Sequence, residues 1–185
     1  FGNNDGTKKK SKEKKDNSLQ KDKLILNALT LHSKGNIKEA LEIYNFLIQN
    51  KIYDPRIFNN LGSIYSQIKQ IDKAILLFEE SIKKFPDCIE AYPNLANVLM
   101  AKGRSNTAKN ILNKAIELNP KYLRSYSIMA GILVGQGNLQ KAGFFLKKSL
   151  EINPKDINAL VNLACVLKDS GNPKQAEKFL KDALK

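Results

Sequence analysis

The sequence predicts an all-α solenoid built from helical hairpins, and three observations lead to that prediction. A set of small and apolar residues recurs at intervals of 34 residues, in five copies and without insertion or deletion. Within each copy the apolar residues recur with helical spacing. Glycine and proline separate the apolar segments at the points where helices are expected to end. A period in this range indicates stacked supersecondary units, so we predict a repeat protein.

The clearest copy spans residues 89–122. Its defining positions, which reappear one period away in both directions, are Tyr92, Leu95, Ala96, Leu99, Gly103, Ala108, Leu112, Ala115 and Pro120. In each copy we predict two antiparallel helices, helix A over positions 1–14 and helix B over positions 18–31. Gly103 is predicted to end helix A in a left-handed conformation, and Pro120 to end helix B.

Taken in order, the chain divides into a tail and five repeats. Residues 1–20 are rich in lysine and lack apolar periodicity, so we predict a disordered basic tail there. The repeats are expected at residues 21–54, 55–88, 89–122, 123–156 and 157–185. Asp54 is predicted to cap the first helix of repeat 2, with Pro55 as its first residue. Lys69 stands where other repeats have glycine, which predicts a strained turn.

The order of these residues resembles the tetratricopeptide repeat over residues 21–185. The resemblance implies a right-handed superhelical solenoid of five helix-turn-helix repeats. The A helices of such a solenoid line a concave groove, which is where binding is expected. We therefore expect a module that binds a peptide or a partner protein in that groove.

Asparagine recurs at one outward position of helix A, at Asn60, Asn94 and Asn162, and Ile128 interrupts the series. An asparagine amide both donates and accepts, so it can hold a peptide backbone whatever the peptide's side chains are. The pattern resembles the asparagine ladder of O-linked N-acetylglucosamine transferases and SPINDLY-like proteins. The alternative is that these asparagines are repeat-consensus residues without a ligand. Further polar candidates for the same groove are Arg56, Asn59, Asn97, Arg124 and Lys168.

The composition excludes several other classes of function. The single His32 has no partnered nucleophile, so we predict no catalytic residue, and neither cofactor nor metal is expected. No apolar run approaches the ~20 residues that a membrane span needs. Cys88 and Cys165 fall at different repeat positions, which favours a reducing, cytoplasmic location over a disulfide framework. The net charge of +13 is spread along the chain, so a nucleic-acid partner is not expected.

Two main interpretations of function remain open on the sequence, and a third, electrostatic binding to RNA or anionic lipid, rests on the net charge alone. The first is a free-standing module for protein or peptide binding. The alternative is the substrate-recognition arm of a larger transferase, a glycosyltransferase or sulfotransferase, whose catalytic domain lies outside this segment. The chain starts at Phe1 and stops within a predicted helix, so we expect it to be a fragment. A carboxylate clamp of the co-chaperone type would need basic residues where Asn59 and Ile128 stand. The oligomeric state is left open.

Overall fold

The computed structural model describes the backbone of residues 5–183 and the side chains of residues 18–183, and all regular structure in that part is α-helical. The helices are α1 (Asp5–Ser33), α2 (Ile37–Gln49), α3 (Pro55–Gln67), α4 (Ile71–Lys84), α5 (Ala91–Ala101), α6 (Ser105–Leu118), α7 (Leu123–Gly135), α8 (Leu139–Ile152), α9 (Ile157–Asp169) and α10 (Pro173–Ala183). Odd-numbered helices are the predicted A helices and even-numbered ones the B helices. The predicted fold class, an all-α repeat solenoid, is confirmed.

Helix α1 begins at Asp5, inside the stretch for which the sequence predicts a disordered tail. Residues 1–4 lie outside the described residues, as do the side chains of residues 5–17. Lysine and glutamate are good helix formers, so this composition is compatible with a helical backbone that has no apolar face. The boundary of the tail at residue 20, and the five repeat boundaries, stay predictions.

The turns between helices A and B have left-handed residues at the predicted positions. Gly103 has φ +73°, and the amide of the next residue, Arg104, donates to the carbonyl of Leu99 at 2.8 Å. Lys69 has φ +64°, with the same bond from Gln70 to Tyr65 at 2.8 Å. A side chain with a Cβ is disfavoured in this conformation, so the observed φ agrees with the strain predicted at Lys69, which stays a prediction.

The chain forms two compact units, residues 1–77 and 78–185, called here the N-terminal and C-terminal units. In the N-terminal unit, α1, α2 and α3 pack against one another. Their contact buries a cluster of apolar side chains: Ile25, Ala28, Ala40, Tyr44, Leu47, Ile57, Leu61 and Ile64. At the start of α3 the Asp54 carboxylate accepts from the Arg56 amide, so the predicted cap is confirmed.

In the C-terminal unit each helix from α5 to α10 packs against the next, and α5 also contacts α7. Alanines such as Ala108 and Ala142 are fully buried where backbones approach closely. Two equivalent tyrosines strengthen the junctions between repeats, since Tyr92 donates to the Pro86 carbonyl and Tyr126 to the Pro120 carbonyl, each at 2.8 Å. Each of these bonds ties an A helix to the loop that precedes it.

Candidate functional site

In the N-terminal unit, the candidate Arg56 is already paired with two carboxylates. Its guanidinium donates to both oxygens of Asp54, at 2.9 and 2.8 Å, and lies 3.4 Å from an Asp22 oxygen. The hydrogen bonds from Arg56 lower the pKa of the Asp54 carboxyl. A peptide carboxylate would have to compete with these two aspartates for Arg56.

The Asn60 amide also has partners within the N-terminal unit. Its Nδ2 donates to the Arg56 carbonyl at 2.8 Å, and its Oδ1 lies 3.2 Å from Nδ1 of His32. An asparagine side chain has two N–H groups and two lone pairs, so one of each remains for a ligand. The neighbouring candidate Asn59 is half-buried on the same helix. The sequence did not pair His32 with Asn60, because nothing in the period links two residues 28 apart.

The C-terminal unit has five of the candidates, distributed over its three A helices. Asn94 and Asn97 lie on α5, Arg124 on α7, and Asn162 and Lys168 on α9. Asn94 is half-buried and the other four are exposed. Among the described residues, none of these five side chains makes a hydrogen bond or an ion pair. Ile128, on α7, is half-buried and interrupts the series of amides as predicted.

A cleft of about 190 Å³ lies between α7 and α9, and is called here the groove cleft. Its floor and walls are mainly apolar, with Ala130, Gly131, Val134 and Val166 among the lining residues. Asn162, Cys165 and Asp169 supply its polar groups. Of the eight predicted site residues, only Asn162 lines this cleft.

The sequence did not predict the groove cleft, because Gly131 belongs to none of the positions that define the repeat. A Cβ built on Gly131 would meet nothing within 4 Å, and this glycine does not have a positive φ. Aligning the repeats would have indicated the cleft, since the position of Gly131 has a side chain in repeats 2, 3 and 5, which have Ser63, Asn97 and Cys165 there. Repeat 4 thus leaves space on α7 where those repeats have a side chain.

Other kinds of site have no counterpart in the part of the chain that the structure describes. No group of three or more histidine, cysteine or carboxylate residues is close enough to hold a metal ion there. None of the described helices is long and apolar enough to cross a membrane. Cys165 is an exposed thiol, and Cys88 donates to a Glu90 oxygen at 3.3 Å.

The paired helices, the left-handed turns and the repeated tyrosine contacts define a helical-repeat protein. The tetratricopeptide repeat model matches residues 67–132 and 133–185, which is more than half of the chain. The chain therefore belongs to the tetratricopeptide repeat family, and the family predicted from the sequence is confirmed.

Three proteins illustrate what the chain is similar to. It is 30% identical over 91 residues to the human protein O-mannosyl-transferase TMTC2, which is 48% of this chain and 11% of that protein. It is 35% identical over 81 residues to a probable UDP-N-acetylglucosamine–peptide N-acetylglucosaminyltransferase, SEC, of Arabidopsis thaliana, 42% of this chain and 8% of that protein. The crystal structure of MamA superposes with a TM-score of 0.74 at 23% identity, covering 85% of this chain and 92% of MamA. The last likeness shows the fold alone, and the chain spans about a tenth of the two transferases.

Proposed function

We propose that the A helices of the C-terminal unit bind an extended segment of a partner protein. The observation that carries this proposal is the groove cleft, because it combines an apolar floor with the Asn162 amide at its rim. An apolar side chain of the segment would enter beside Gly131. The Asn162 amide would donate to one peptide carbonyl and accept from one peptide N–H, regardless of the peptide's sequence.

Polar side chains on the other A helices support the same proposal. Asn94 and Asn97 offer two further amides on α5, and Arg124 and Lys168 offer two cations. These cations have no carboxylate partner among the described residues, so acidic side chains of the segment would pair with them. Because Ile128 separates the amides, the segment would be held at two places on the groove and not along a continuous row.

The thiol of Cys165 adds a condition to this binding. It is exposed and it lines the groove cleft, so its oxidation would alter the site. We therefore place the interaction in a reducing compartment such as the cytoplasm.

A display library of random linear peptides, selected on the purified chain, would test the proposal. Selected peptides should lose about tenfold in affinity for Asn162→Ala, since two hydrogen bonds of about 0.5–1.5 kcal/mol each are lost. Asn94→Ala should weaken them to a similar extent. Asn110→Ala is the matched control, because Asn110 is an exposed asparagine on helix α6. Peptides that bind all four proteins equally would contradict the proposal.

A second candidate function is the recognition arm of a larger transferase. The two transferases among the relatives favour it, since each matches this chain over a small part of its own length. In that case the segment held in the groove would be the acceptor substrate of the catalytic domain. Sequencing the complete reading frame tests this, because a transferase domain in the same chain would support it and a frame without one would exclude it.

A further inference from the structure

A second cleft, of about 340 Å³, lies between α8 and α9 and is called here the α8–α9 cleft. Its lining includes Gly143, Phe144 and Lys147 from α8, and Leu163 and Leu167 from α9. Asn162 and Cys165 of α9 line the groove cleft and not this one, whereas Val166 lines both clefts. Gly143, Phe144 and Lys147 of α8 line this cleft and not the groove cleft, so substitutions there test it separately from the proposed groove binding.

Gly143 lines the α8–α9 cleft without a side chain of its own. The same repeat position has Leu41, Ile75, Lys109 and Glu177 in the other four repeats. Gly143 is a buried residue inside a helix, where glycine costs about 1 kcal/mol relative to alanine. A Cβ at this position would lie 3.7 Å from Val166 Cγ1 and 3.8 Å from Leu163 Cδ1, which is ordinary contact. The fold would therefore accept alanine here, and packing does not require glycine.

Phe144 gives the cleft an exposed aromatic wall. Its side chain is 55% exposed, although its ring is held edge-on against Phe145 with the centroids 5.5 Å apart. The Lys148 ammonium lies 5.9 Å from the Phe144 ring centroid. The floor is apolar, with Leu163 fully buried beneath it. The volume is near the lower end of small-molecule pockets, about 300–1,000 Å³, so it suits a single large apolar side chain.

The charges around the cleft select the kind of partner. Helix α8 has three lysines, Lys141, Lys147 and Lys148, against one carboxylate, Glu151. Lys148 is paired with Glu151 at 2.7 Å, which leaves Lys147 at the rim without a carboxylate among the described residues. The chain as a whole has a net charge of +13, so a second copy or any basic partner would be repelled.

We propose that the α8–α9 cleft is a second docking site, which takes a large apolar side chain from an acidic segment of a partner protein. The apolar side chain lies against Phe144 and the apolar floor at Leu163, beside Gly143. Acidic residues beside it pair with Lys147. Phosphate-rich nucleic acid does not match an apolar floor of this kind.

The test uses the full chain and a short fluorescein-labelled peptide of aspartates around one phenylalanine, followed by fluorescence anisotropy. Gly143→Leu, which restores the side chain of repeat 1, should lower affinity at least tenfold. Lys147→Glu should lower it about fivefold. Asn162→Ala, in the groove cleft, and Lys114→Glu, an exposed lysine of α6, should leave affinity unchanged. Gly143→Ala should fold at least as well as the parent chain and still weaken binding.

Three results would overturn this proposal. The first is no binding of the phenylalanine peptide at about 1 mM, or equal binding of the same peptide with alanine in place of phenylalanine. The second is unchanged affinity in Gly143→Leu and Gly143→Ala, both checked for helicity by circular dichroism. The third is that the protein binds vesicles of phosphatidylserine and phosphatidylcholine but not the peptide, and that Gly143→Leu abolishes vesicle binding. The partner would then be a lipid surface.

Discussion

Replacing Tyr44 by phenylalanine should stabilise the protein, because the phenol oxygen is buried without a partner. Tyr44 is 0% exposed in the core of the N-terminal unit, and its hydroxyl has no hydrogen-bond partner among the described residues. Leaving such a group unpaired costs about 1–3 kcal/mol, since the unfolded chain hydrates it. Phenylalanine keeps the ring and removes the oxygen. The sequence itself has Phe78 at the same repeat position, where it is also buried.

The gain from Tyr44→Phe should increase at high pH. Burial raises the pKa of Tyr44 to about 12, whereas an unfolded phenol titrates near pH 10. Between these values the unfolded chain releases a proton that the folded chain retains, so the parent protein loses stability as pH rises through that window. One pKa unit is worth about 1.4 kcal/mol, so the gap between variant and parent should widen by roughly 1 kcal/mol from pH 9 to pH 11.

Urea unfolding followed by circular dichroism at pH 7, 9 and 11 measures both effects. Tyr122→Phe is the control, because it removes a partly exposed phenol that water can solvate. The reasoning is refuted if Tyr44→Phe destabilises the protein at pH 7. It is equally refuted if the difference in unfolding free energy between Tyr44→Phe and the parent stays constant between pH 9 and pH 11.

Three further pairs of substitutions test a buried hydroxyl, the turns and the hydrogen bonds of Asn60. Ser149→Ala should raise the unfolding free energy by about 1 kcal/mol, because the buried hydroxyl of Ser149 has no partner among the described residues. The reciprocal Ala115→Ser, one period earlier, should lower the unfolding free energy. A lower unfolding free energy in Ser149→Ala would contradict this reasoning. Lys69→Gly should raise the unfolding free energy by about 1 kcal/mol, because glycine adopts the left-handed conformation without strain. Gly137→Ala should lower the unfolding free energy by a similar amount, and urea unfolding measures both variants. An unchanged unfolding free energy in Lys69→Gly would show that the turn is not strained. Asn60→Ala should lower the melting temperature because two hydrogen bonds are lost, whereas Asn162→Ala should not; equal melting of the two variants would contradict the difference.

The fold could be predicted from the sequence because the repeats have similar residue types at the positions that determine helix ends and packing. The glycine turns, the Asp54 cap and the buried alanines each follow from the properties of one residue at one repeat position. The other four repeats have glycine at the position of Lys69, so one exception does not obscure the pattern. The start of helix α1 was the least predictable feature, since a lysine-rich stretch has helix propensity but no apolar period to indicate a helix.

The candidate site was less predictable, because a repeat pattern describes what the copies share. Asn60 and Asn162 occupy the same repeat position, yet Asn60 has two hydrogen bonds within the fold and Asn162 has none among the described residues. One side-chain partner differs: His32 lies beside Asn60, whereas the equivalent residue three periods later is Val134, which has no polar group to pair with Asn162. Partners of this kind depend on neighbouring repeats, which a position-by-position comparison does not include.

Departures from the repeat pattern therefore say more about function than agreement with it does. Gly131 and Gly143 both belong to repeat 4, each lies in a helix without a positive φ, and each is replaced by a residue with a side chain in other repeats. Each also lines a cleft beside helix α9, Gly131 the groove cleft and Gly143 the α8–α9 cleft. Each glycine lowers the stability of its own helix, α7 or α8, yet close packing requires neither of them. Space for ligand side chains in the two clefts beside α9 is one physical reason that explains both glycines.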